Sequence, residues 1–154
     1  MLKLQMKKGF KAFIYADKYN YAVLTTHPIL TSNPTDGFEK KILIRIEKVS
    51  IDLIGNKNSI IEETICRMNT NPDFGVSYNN MISFYLQNEK VSIMPHHYLA
   101  DPTKEKPRPR RISLLAFQAP YCIKIIRSNA KNIPEIESLP HEAVKEIQQN
   151  QKRR

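Results

Sequence analysis

The sequence predicts an α+β protein: a bent, mainly antiparallel sheet of six to eight strands, with one helix packed on it and another closing the chain. Three observations lead there. Apolar and polar residues alternate with period two along several segments, the longest being residues 41–54. Turn-forming residues separate these segments at short intervals. Helical spacing of apolar residues occurs at 59–69, and 140–149 shows the acidic start and basic end of a closing helix. With 154 residues and 41% hydrophobic content, the chain is long enough to bury one core, so residues 1–154 are expected to form a single domain.

Taken in order, Phe10, Ala12, Ile14 and Ala16 alternate with Lys11, Phe13 and Tyr15, which gives a first strand. Turn residues at 17–20 lead to a return strand, YAVLTT, at 21–26. His27 and Pro28 are expected to end it, since proline cannot donate to a ladder and restricts the residue before it. TSNPTDG at 31–37 reads as a loop. The long strand that follows holds Ile42, Ile44 and Ile46 on one face, then changes phase to Val49, Ile51 and Leu53. A one-residue slip exchanges the faces of a strand, so a bulge near Glu47 and Lys48 is expected, with two shorter strands meeting in a bend as the alternative.

Gly55 and Asn56 stop that strand. Ser59 and Glu62 then fit a capping box, and Ile61, Ile65 and Met68 share a helical face, which predicts a helix over 59–69 covering the strand. The alternation of Ile82, Phe84 and Leu86 favours a strand over a short helix, joined through 87–89 to a second strand at Val91–Met94. Residues 95–111 carry four prolines and no periodicity, and they predict a long Pro/Arg-rich loop of the kind that is functional or disordered. Strands resume at 112–117 and 121–126. The closing helix begins acidic, at Glu142 and Glu146, and runs into a basic tail at 150–154, in keeping with the helix dipole.

The formal net charge is +9, and its placement says more than its size. Basic residues concentrate at the N-terminus, in the 104–111 loop and at the C-terminus, leaving the rest close to neutral. Such a distribution suits a polyanion or an acidic protein groove, and equally a solvated, solubilising surface. Alternating prolines in Lys104-Glu105-Lys106-Pro107-Arg108-Pro109-Arg110-Arg111 favour an extended backbone that presents its cations to a partner. Lys104, Lys106, Arg108, Arg110 and Arg111 are therefore the candidate binding residues.

Signatures of catalysis are sparse. Four glycines, none paired, exclude phosphate-cradling loops and nucleophile elbows, and neither CxxC nor HExxH occurs. His96 and His97, with Asp101 nearby, form the weak candidate for a catalytic site in the long loop, although neighbouring residues of an extended chain point to opposite faces. No metal site and no cofactor is expected. Phe13, Tyr15 and Tyr21 could share a hairpin surface on which bases stack, with core packing or partner contact as the other reading. Cys66 and Cys122 lie inside apolar segments and read as buried free thiols. No apolar run is long enough to span a bilayer, and lysines interrupt any signal-peptide core, so a cytoplasmic protein with no membrane partner is expected.

These readings combine into a non-catalytic protein-interaction protein, of adaptor, inhibitor or complex-subunit type, that uses its basic loop and a sheet edge. A module contacting the phosphate backbone of nucleic acid is the alternative. A hydrolase or nuclease built on His96 and His97 is the second. Oligomeric state is left open.

Overall fold

The computed structural model describes residues 2–6, 9–29, 41–67, 81–108, 110–133 and 136–153. Along them run β1 (Leu2–Gln5), β2 (Lys11–Asp17), β3 (Asn20–Ile29), β4 (Lys41–Ile51), β5 (Lys57–Arg67), β6 (Ile82–Leu86), β7 (Glu89–Ala100), β8 (Arg110–Gln118), β9 (Lys124–Arg127) and α1 (His141–Lys152). A short 3-10 turn, Ile136–Ser138, precedes the helix. The loop expected at 31–37 and the end of the segment at 69–72 lie outside the described residues.

Every described strand pairing is antiparallel, as expected, but the strands form two sheets and not one bent sheet. One has the order β1-β8-β7-β6, the other β5-β4-β3-β2-β9. The reason is visible in β2 and β3, whose residues are apolar on both faces. Ala12, Ile14, Ala22 and Leu24 pack with Phe84, Val91, Ile93, Leu115 and Phe117 in a core between the sheets. Phe13, Tyr15, Tyr21 and Val23 face the other way and pack under Ala143 and Ile147 of α1. The five-stranded sheet is thus the middle of three layers, and each of its faces needs a cover.

That arrangement explains the phase change in β4 without a bulge. Its register with β3 runs unbroken from Asn20↔Ser50 to Ile29↔Lys41, so the strand is continuous and the expected bulge is not there. Ile42, Ile44 and Ile46 belong to the core between the sheets, whereas Val49 belongs to the core under the helix. The two cores are offset along the strand. Each apolar triplet is buried only where its face is covered, and Leu53, beyond the strand end, is fully exposed.

The helix expected at 59–69 is instead strand β5, paired with β4 from Ile51↔Lys57 to Lys41↔Arg67. Backbone groups satisfied along that whole ladder, together with four β-branched residues between Ile60 and Ile65, outweigh the capping-box pattern. Two further expectations are corrected. β3 continues past His27 and Pro28 to Ile29; beyond Thr25 it has left β2 and pairs with β4, so a residue without an N–H is tolerated. Residues 95–100 and 110–111, expected as loop, belong to β7 and β8.

The turns are built as the sequence suggests. Asp17 Oδ1 accepts from the N–H groups of Tyr19 (2.7 Å) and Asn20 (2.9 Å), and Asp52 Oδ1 from those of Ile54 (3.0 Å) and Asn56 (2.8 Å). Gln87 and Asn88 both take positive φ, 48° and 65°, as a two-residue hairpin connection with matching twist requires. Ile51 N–H donates to Tyr19 O (2.9 Å) and Gln87 Nε2 to Asp17 Oδ2 (3.0 Å), so three hairpin turns gather at one end of the molecule.

Candidate interaction surface

All five candidate cations and both histidines fall on β7, β8 and the loop between them. β6 pairs β7 only from Glu89 to Ile93, and β1 pairs β8 only from Leu114 to Phe117. Outward from there, Tyr98–Ala100 pairs with Arg110–Ile112 alone among the described strands, which makes a two-stranded arm. Its tip is turned by Thr103: its N–H donates to Lys106 O (2.9 Å), and its Oγ1 accepts from Lys106 N–H (3.1 Å). A folded turn therefore replaces part of the extended run that the prolines suggested. Lys104, Lys106 and Arg108 stand exposed on this tip, while Arg110 and Arg111 occupy β8 opposite Ala100 and Leu99.

His96 and His97 are consecutive ladder positions, opposite Leu114 and Ser113, and successive strand residues alternate faces. His96 is buried, at 1% exposure, whereas Asp101 is exposed at the start of the tip. Among the described residues, no group of three or more potential metal ligands comes together.

Phe13, Tyr15 and Tyr21 lie under α1, with no face open for a base to stack on. Lys11 is paired with Glu146 of α1 at 2.8 Å. Lys152 and Arg153 end α1, one layer beyond the middle sheet from the basic arm. Tyr21 illustrates how tightly that layer is fastened: its hydroxyl donates to Glu142 Oε2 at 2.5 Å, and burial together with that carboxylate pushes the phenol well above its ordinary range. Lys57 Nζ reaches the same carboxylate at 3.4 Å. At the other end of α1, Asn150 Nδ2 donates to Ser128 O and Gln151 Nε2 to Lys131 O, each at 2.8 Å.

The most exposed apolar surface is one the sequence reading assigned to a buried helix face. β5 forms an edge of the five-stranded sheet, and apart from Cys66 its residues are exposed on both faces. Among the described residues, no strand pairs with its outer side, and α1 meets it at the Lys57–Glu142 pair. Ile60, Ile61 and Ile65 are 65%, 48% and 62% exposed, and the adjoining turn adds Leu53 and Ile54, the former fully exposed. An edge strand also presents unpaired N–H and C=O groups along its free side. Long edges of this kind are usually blunted by a proline, a bulge or shortness. β5 has none of these, only Glu62, Glu63 and terminal cations. A residue exposed on both sides follows no period, which is why no pattern revealed this strand.

The two cysteines divide. Cys66 is buried, and burial raises its thiol pKa, but Cys122 is exposed, contrary to expectation. Among the described residues no helix is long and apolar enough to cross a membrane. Comparison of the chain with known protein families, with curated proteins and with solved structures finds no match.

Proposed function

We propose that this chain is a non-catalytic protein-interaction protein, of adaptor, inhibitor or complex-subunit type, that docks through the open edge of β5 and the basic tip of the β7–β8 arm. The observation that carries this reading is β5 itself, an 11-residue edge strand with exposed isoleucines. Strand addition to such an edge supplies backbone hydrogen bonds, and side chains on alternate positions supply selectivity. The arm adds a compact positive charge, which steers an acidic partner surface and sets its orientation. Two free thiols, one of them exposed, suit a reducing compartment, in keeping with a cytoplasmic protein.

Affinity capture from the native cell lysate, with and without nuclease, tests the reading. The wild-type chain is compared with Ile61→Lys/Ile65→Lys and with Lys104→Ala/Lys106→Ala/Arg108→Ala. Proteins retained after nuclease treatment should be lost with the β5 variant and recovered more weakly with the arm variant. Nuclease-sensitive recovery, lost with the arm variant and indifferent to the β5 variant, would instead favour the nucleic-acid reading.

A further inference from the structure

We infer that the occupant of the β5 edge is β5 of a second copy of this chain, paired antiparallel about a two-fold axis at Ile60, so that two five-stranded sheets join into one. This rests on the interaction reading above and names the partner. A two-fold axis perpendicular to a sheet makes an antiparallel pair in which one residue stands opposite itself. Registers between residues are excluded, because they would bring inward and outward side chains face to face. The choice of centre is then decided by charge and by the length of strand paired.

Centring on Glu62 sets the two Glu62 carboxylates opposite each other and Lys57 opposite Arg67, and centring on Glu63 again opposes like carboxylates. Directly opposed like charges destabilise a sheet pair, whereas opposite charges stabilise it. Centring on Ile61 avoids repulsion but leaves Lys57 opposite Ile65 and Ser59 opposite Glu63. With Ile60 at the centre, Lys57 of each copy stands opposite Glu63 of the other, Asn58 opposite Glu62, and the two Ile60 side chains meet on the axis. Centring on Ile65 also opposes Glu63 to Arg67, but it pairs only five residues of β5, 63–67, whereas the Ile60 centre pairs seven, 57–63.

The same register accounts for a second observation. It carries the 64–67 end of each β5 past the other copy's 53–56 turn, bringing the exposed Leu53 and Ile54 alongside the partner's exposed Ile65. The exposed apolar residues of β5 and its adjoining turn thus fall within one symmetric contact. Glu62 and Glu63 act in two ways: they repel the registers centred on themselves, and they complete the one centred on Ile60. The arm lies on the other sheet, so pairing through β5 leaves both copies of it free for a further partner.

The test uses the full chain and sedimentation over a range of concentrations, with cross-linking to fix the register. The wild-type chain should sediment as a dimer. Lys57→Glu and Glu63→Lys should each raise the dimer dissociation constant roughly ten-fold, since each alters two symmetry-related pairs. The double variant Lys57→Glu/Glu63→Lys should return it close to wild type, although it reverses both in-chain pairs, Lys57 with Glu142 and Arg45 with Glu63. In a Cys122→Ser background, Ile60→Cys should oxidise to a covalent dimer, because opposed strand positions lie within disulfide reach, and Glu62→Cys should not. A monomer at every concentration, a dimer that Ile60→Cys does not cross-link, or a double variant no tighter than the singles would each overturn the proposal. If the chain is monomeric and Ile61→Lys/Ile65→Lys still abolishes capture of a different protein, self-pairing falls while the interaction reading stands; if capture is also unchanged, both fall.

Discussion

Truncating Ile147 to alanine asks whether α1 is a structural layer or an appendage. Ile147 is fully buried against the aromatic face of β2 and β3, in the cluster formed by Phe13, Tyr15, Tyr21, Val23 and Val49. Each buried methylene-sized group is worth about 0.8 kcal/mol, and the cavity left behind adds to the loss, so Ile147→Ala should cost about 3 kcal/mol. In a chain of this size that corresponds to a fall in Tm of roughly 6–12 °C. Urea unfolding followed by far-UV circular dichroism measures the free energy, and near-UV dichroism reports the tyrosines beneath the helix. Gln148→Ala serves as the internal control, because Gln148 is exposed on the same helix and its truncation should fall within about 0.5 kcal/mol of wild type. A loss below about 1 kcal/mol for Ile147→Ala would refute the three-layer reasoning, and with it the account of why β4 changes phase.

Other outcomes follow from single groups. Tyr21 has its pKa raised in the folded chain by burial and by Glu142, so its stabilising contribution is intact below the ordinary phenol value near 10 and fades as pH rises above it. Tyr21→Phe should therefore be less stable than wild type at pH 8 and lose less between about pH 10 and 11, as read by urea midpoints. Asn88→Gly should stabilise the protein by about 0.5 kcal/mol, since glycine adopts φ of 65° without steric cost; a lower midpoint would contradict the turn geometry. Cys122 should react rapidly with a thiol reagent in the native protein and Cys66 only after unfolding, and equal rates would contradict the burial of Cys66.

Much of the fold was legible because buried faces impose a period. β2, the first half of β4, and the Phe84 and Leu86 positions of β6 are legible directly from alternation, and α1 from its charge gradient. The phase change in β4 was read correctly as a pattern and wrongly as a bulge, because one chain segment carries no sign that a second core lies on its opposite face. β5 failed for a different reason. Ile61 and Ile65 are four apart, which suits a helix, and a strand exposed on both sides has no alternation with which to contest that reading. Only the ladder to β4 decides it, and that ladder is a tertiary fact. The basic tip was visible as composition, yet its support was not: Pro95, followed by two histidines, looked like the start of a loop, whereas β8 holds 95–100 in a ladder. Openness of an edge is least legible of all, since it depends on which strands elsewhere fail to arrive.

Hydrogen exchange of the backbone amides at 57–67, followed in the isolated chain at high dilution and again in its assembled form, tests most directly whether β5 is the docking edge. Amides turned toward β4 should be protected in both states, and those turned toward the free side should exchange quickly when dilute and become protected on assembly, while β3 amides stay unchanged. Free-side amides already protected at dilution, or protection that appears on assembly elsewhere and leaves β5 untouched, would contradict it.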